Sequence, residues 1–180
     1  MRWYRAHNYN FLVISDHDII TETKYLDTDK NDDFLLITGE EVTDSYNDKP
    51  VHLNGIGIER VVEPQRGKSI IDTLQNNADA IVKAGGIVLV NHPHYKWAFG
   101  AKELAALKGV KLFEVYNLNQ DCNNFAAGGE PCMETVWDRV LSTGKVMYGV
   151  VTDDTHHFEG EPRSEKASPG RGGLWCGPGN

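Results

Sequence analysis

Phe11-Leu-Val-Ile-Ser-Asp-His17 is an apolar run that ends abruptly in a polar pair, Asp16-His17. Its first four residues are continuous and include two β-branched side chains, which suits a strand covered on both faces. In an α/β barrel the C-terminal ends of such strands carry the chemistry, which makes His17 a ligand candidate. The same grammar returns along the chain. Phe34 to Ile37 leads to Glu41, apolar residues surround His52, Ile87 to Val90 leads to His92, and Val146 to Val151 leads to Asp154 and His156. Together these endings predict one site along one rim of a sheet.

The segments between these runs supply the rest of the fold. Arg2 to Asn8 reads as the last turns of a helix, and Val51 to Ile58 as a third strand thinned by two glycines. Ile70, Ile71, Leu74, Ala78, Ile81 and Val82 share one face at helical spacing, which predicts a helix over 69–84 stopped by Gly85-Gly86. A short helix over 101–107 leads to a strand at 111–115. Pro131 opens a further helix with Met133, Val136, Trp137, Val140 and Leu141 on one stripe, stopped by Gly144. From Glu159 onward the chain is polar and rich in glycine and proline, and no further element is predicted. Alternating strands and helices predict one α/β domain over 1–180 with a mainly parallel sheet. The polar strand ends favour a barrel or half-barrel over an open sheet.

Composition narrows the function classes. A chain of 180 residues fits one domain able to bury roughly 70% of its unfolded surface. No apolar run approaches the ~18 residues of a membrane span, and Met1-Arg-Trp-Tyr-Arg lacks the apolar core of a signal peptide. The net charge of −8 argues against general nucleic-acid binding, although a bound divalent metal would reverse that sign locally. Cys122, Cys132 and Cys176 are odd in number and form no CxxC pair, which points to a reducing compartment and a cytoplasmic protein.

Of the seven histidines, His7 reads as a packing residue on a helix end. His17, His92 and His156 each lie just beyond a buried run and, with Glu41 and Asp154, offer the nitrogen and carboxylate mix that suits zinc, manganese or iron. His94 and His157 are placed as outer-shell partners or substrate contacts. Glu40 and Glu41 point to opposite faces of a strand, so only one of them can enter the site. Asp153 and Asp154 pose the same choice.

The order SDH, GEE, a lone histidine, NHPH, FEVYN and TDDTHH resembles the PHP (polymerase and histidinol phosphatase) family over about 1–158. That resemblance implies a distorted (β/α)7 TIM-like barrel with two or three divalent metals at the strand C-termini. It implies His17 as a ligand, Glu41 rather than Glu40 as a bridge between metals, and His52 and His92 as its partners on a shared ion. It also implies Asp154 rather than Asp153 on the first metal, and His156 beside His17 on a third. Glu114 and Asn117 match a strand-end pattern that lines the site.

The family opens on an H-x-H strand that supplies most of the first metal's ligands, and no such strand precedes Phe11. The expectation under this resemblance is a chain shortened at its N-terminus, its first strand missing, and unfinished at its C-terminus. The activity implied is a metal-dependent phosphoric ester hydrolase acting on a small phosphorylated metabolite or nucleotide through metal-activated water. Asp154, His156 and Glu41 are its candidate catalytic groups, with His94, Lys96, Glu114, Asn117 and Arg163 as candidate substrate contacts. Two alternatives accompany it: a catalytically incomplete metal-binding scaffold, and a nuclease-like proofreading module.

Overall fold

The computed structural model describes residues 2–25 and 34–156. The expectations at His157, Arg163 and Cys176, and those for the C-terminal tail, lie outside the described residues. The elements are α1 (Arg2–Ala6), β1 (Phe11–His17), β2 (Leu35–Tyr46), β3 (Lys49–Ile56), α2 (Ile70–Lys83), β4 (Ile87–Val90), α3 (Ala101–Ala106), β5 (Leu112–Asn117), α4 (Met133–Ser142) and β6 (Tyr148–Thr152).

Local chemistry fixes most of their limits. Ser69 caps α2, its hydroxyl accepting from Asp72 N at 3.1 Å. At the other end Gly85 is left-handed, and its N–H reaches Val82 O at 2.9 Å while Gly86 N reaches Ile81 O at 3.0 Å. Those two bonds form a Schellman closure, which explains why the glycine pair ends this helix. Asn47 and Asp48, with φ of 48° and 63°, join β2 to β3 by a two-residue turn. Two consecutive left-handed residues give the turn whose twist matches an antiparallel hairpin.

The six strands are hydrogen-bonded in sequence order in one sheet. β1 and β2 pair in parallel, as do β4 with β5 and β5 with β6. β3 runs antiparallel to both its neighbours. The sheet is mainly parallel, as expected, and departs from this at β3, where the Asn47-Asp48 turn reverses the chain. The sheet curls into a six-stranded half-barrel, a mixed α/β architecture compatible with a distorted barrel. β1 and β6 are its two edges, and His17 on one approaches His156 beyond the other.

Period-two alternation assigns the two faces of this sheet. Val42, Leu53, Val90 and Phe113 join the core beneath α2, α3 and α4, together with Leu74, Ile81 and Val136. Their neighbours Glu41, Asn54, Leu89 and Glu114 face a concave cavity of about 360 Å³. β1 departs from its expected burial. Phe11 to Ser15 are half-buried rather than covered on both faces, because β1 is an edge strand and its apolar run lines this cavity.

Residues 57–69, between β3 and α2, are seated by three backbone donors. Val62 N reaches Glu40 Oε2 at 2.8 Å, Gln65 N reaches Asn77 Oδ1 at 2.8 Å, and Arg66 N reaches Asp44 Oδ2 at 2.9 Å. Gly67 then passes so close to α2 that a Cβ would lie 2.4 Å from Thr73 N and 2.7 Å from Asp72 Cβ. Gly67→Ala is expected to destabilise the protein by about 1–3 kcal/mol, the usual range for overpacking. Urea unfolding would show this as a lower midpoint, and an unchanged midpoint would contradict the close approach. Among the described residues no helix is long and apolar enough to cross a membrane. Cys122 is buried and Cys132 half-buried, and among the described residues neither is in a disulfide.

Candidate metal centre

Strand register assembles the centre. The parallel pairing of β1 with β2 sets His17 opposite Glu41, and the β2–β3 hairpin sets His52 opposite Thr43. Because β3 is reversed, the beginning of this strand, not its end, reaches the polar rim. His92 lies two residues beyond β4, and Asp154 and His156 follow β6. Glu41 is the hub. Its Oε1 lies 3.0 Å from His52 Nδ1 and 3.3 Å from His92 Nε2, and its Oε2 lies 3.7 Å from His17 Nδ1. His17 also places Nδ1 2.6 Å from Thr43 Oγ1, and its Nε2 is 3.5 Å from His156 Nε2.

Electrostatics follow this geometry. Burial alone would raise the Glu41 carboxyl, but hydrogen bonds from His52 and His92 hold it well below the usual carboxylate range. Burial likewise works against the His92 imidazolium, yet the bond to Glu41 and the nearby Glu114 push His92 up to about 9. The cluster is thus a buried anion compensated by imidazole, an arrangement that a cation can also satisfy.

The two carboxylate pairs differ in their surroundings. Glu40 is fully buried on the helix-facing side, where it accepts from Val62 N, and burial raises its pKa. Asp153 accepts a hydrogen bond from the Tyr4 hydroxyl and lines the cavity together with Asp154. Asp154 Oδ2 accepts from Asn117 Nδ2 at 3.3 Å and Asn119 Nδ2 at 3.5 Å, and its carbonyl lies 2.8 Å from His156 Nδ1.

A crystal structure of a protein from Bifidobacterium adolescentis, provisionally named a metal-dependent phosphoesterase, has the same fold. The match has a TM-score of 0.57 and 14% sequence identity, and it covers 96% of this chain and 83% of the other. No protein-family model and no curated protein matches the sequence.

The remaining candidates divide. Glu114 and Asn117 lie beside the centre, bonded to each other at 2.8 Å. His94 is buried with its ring on Trp97, centroids 4.9 Å apart, and burial lowers its pKa. Its Nδ1 has no protein partner. Lys96 is exposed and left-handed, with its ammonium 5.4 Å from the Tyr95 ring centroid. Arg163 lies outside the described residues. Sequence reasoning missed Tyr95, whose ring is 5.2 Å from that of His92, and Lys49, whose ammonium bonds Trp97 O at 2.6 Å. It also missed Asn54 and Asn91, joined at 3.1 Å on the cavity wall. Lys49 follows the Asn47-Asp48 turn, a signal that could have placed it on the rim.

The donor set fits a divalent metal. One ligand atom each from His17, Glu41 and His52 lie within 4.8 Å of one another, with His17 exposed and Glu41 buried. Imidazole nitrogen and carboxylate oxygen are the donors that zinc, manganese and iron share.

Proposed function

We propose that this protein is a metal-dependent phosphoesterase of the PHP type, a single domain hydrolysing a small phosphorylated metabolite or nucleotide. The observation that carries the reading is Glu41, a buried carboxylate shared by three imidazoles at the mouth of a concave cavity. The half-barrel supports a distorted (β/α)7 architecture, and the provisional name of its structural neighbour points to the same chemistry. Free cysteines agree with a cytoplasmic, reducing setting.

In this reading Glu41, His52 and His92 would hold one ion, and Glu41 could also serve a second. His17, His156 and Asp154 would supply the further ligands for a set of two or three ions of zinc, manganese or iron. Such ions supply charge for a phosphoryl group and acidify water for attack. Asp154, half-buried and hydrogen-bonded, would accept a proton, with His156 beside it. Lys96 and Lys49, on the same rim, supply positive charge for the substrate's anion.

Elemental analysis of protein purified without chelator, with a chromogenic phosphomonoester assay on the same sample, tests this. The expected result is two or more metals per chain, and turnover reduced at least ~100-fold by His92→Ala. A protein without metal overturns the reading. Metal without turnover selects the catalytically incomplete scaffold, and salt-sensitive binding of single-stranded DNA selects the nuclease-like module.

A further inference from the structure

We propose that Glu114 is a positioning residue for this centre, its single carboxylate setting the His92 backbone directly and the Asp154 side chain through Asn117. This rests on the reading of the centre as a metal site.

Glu114 lies in the middle of β5 and is 3% exposed. Its Oε2 accepts from His92 N at 2.6 Å and from Asn117 Nδ2 at 2.8 Å, while its Oε1 accepts from Thr152 Oγ1 at 2.7 Å. Both oxygens are therefore engaged by the protein's own donors. A carboxylate used in this way orients its neighbours, which separates Glu114 from the ligand Glu41.

What it orients is backbone that would not hold itself. His92 has φ of 22° and precedes Pro93, and Asp154 has φ of 47°. Neither is glycine, and left-handed backbone at such residues persists only where surrounding bonds enforce it. At His92 the enforcing bond runs from its own N–H to the buried Glu114 side chain. At Asp154 the enforcement is relayed. The Asn117 amide nitrogen that donates to Glu114 also reaches Asp154 Oδ2 at 3.3 Å, so one NH₂ group spans both acceptors. Thr152, two residues before Asp154, ties the end of β6 to the same carboxylate. Three strands thus converge on Glu114, and two proposed ligands leave it in fixed directions.

Titration calorimetry with zinc or manganese, and hydrogen exchange at the His92 amide of metal-free protein, test the proposal. Glu114→Ala is expected to bind metal ~10–100-fold more weakly, as for other lost outer-shell partners. It is also expected to lose protection at the His92 amide. Glu114→Gln keeps an acceptor for His92 and Asn117 and an amide for the Thr152 hydroxyl, so it should recover most of both readouts. Thr152→Val, which frees only the β6 end and leaves the bonds to His92 and Asn117, should weaken metal binding less than Glu114→Ala and keep His92 protected. Glu114→Ala with wild-type affinity and wild-type His92 protection overturns the proposal. So does Glu114→Gln as weak as Glu114→Ala, which would assign the effect to charge. If Glu114→Ala does not fold, Asn117→Ala must weaken metal binding, and unchanged affinity overturns the proposal equally. Wild-type protein that binds no metal sinks the phosphoesterase reading, and the exchange readout then decides the positioning role alone.

Discussion

Glu41→Gln is expected to abolish metal binding while leaving the chain folded. The glutamine keeps the shape of the hub among His17, His52 and His92 but removes its charge. A lost ligand should cost more than the ~100-fold that marks the upper end for an outer-shell partner, which is about 2.7 kcal/mol or more. The metal-free fold should change far less. Glu41 and Glu114 both push His92 up against its burial, so removing the Glu41 charge leaves Glu114 beside that imidazole. A stability change of about 1 kcal/mol, the scale of one altered hydrogen bond, is the expectation. Glu40→Gln is the matched control, since Glu40 lies one residue away on the opposite face. Elemental analysis and urea unfolding of the two variants would decide. Wild-type metal content in Glu41→Gln, or its loss in Glu40→Gln, would reverse the assignment of faces.

The contrast between Glu40 and Glu41 marks where the sequence is legible. Alternation says that only one of them faces the site, and the resemblance to a family picks Glu41. The hydrogen bond from Val62 N shows physically why the other is unavailable. Helices were the easiest elements to read, because α2 carries its own cap, its apolar stripe and its glycine stop within one segment. Strand direction was not legible, because an apolar run reads alike in both directions. The Asn47-Asp48 turn was the single local clue to the reversal at β3. Burial of β1 was overread for a related reason. Phe11 to Ile14 are half-buried where the strand borders a cavity, and an apolar run that lines a cavity reads the same in sequence as one covered on both faces. Site histidines stood out since each follows an apolar run. The role of Glu114 could not stand out, because its bond to His92 joins a side chain to a backbone amide 22 residues away. A backbone donor leaves no mark on residue type.

Removing the metal should loosen one edge of the sheet more than the rest. β1 is hydrogen-bonded to β2 along one side, and across the cavity it approaches the β6 end through His17 and His156, 3.5 Å apart. Tyr4, just before β1, adds the bond to Asp153. Two imidazoles facing each other nitrogen to nitrogen gain little from that contact alone, whereas an ion shared between them would clamp β1 to the chain beyond β6. At a free concentration ~100 times its dissociation constant, an ion binding only the folded state adds about 2.7 kcal/mol, which for a chain of this size raises Tm by about 5–10 °C. Chelator should reverse that shift. Edge elements with few buried contacts open first, so amide exchange in Phe11–His17 should accelerate on chelation while exchange in β4 and β5 stays slow. Differential scanning fluorimetry and hydrogen exchange with and without chelator would read both effects. A falling Tm with unchanged exchange in β1 would confine the ion to Glu41, His52 and His92 and remove His17 and His156 from the ligand set. An unmoved Tm would mean that no ion is bound, and the imidazoles around Glu41 would then be an ion-pair network that serves the fold.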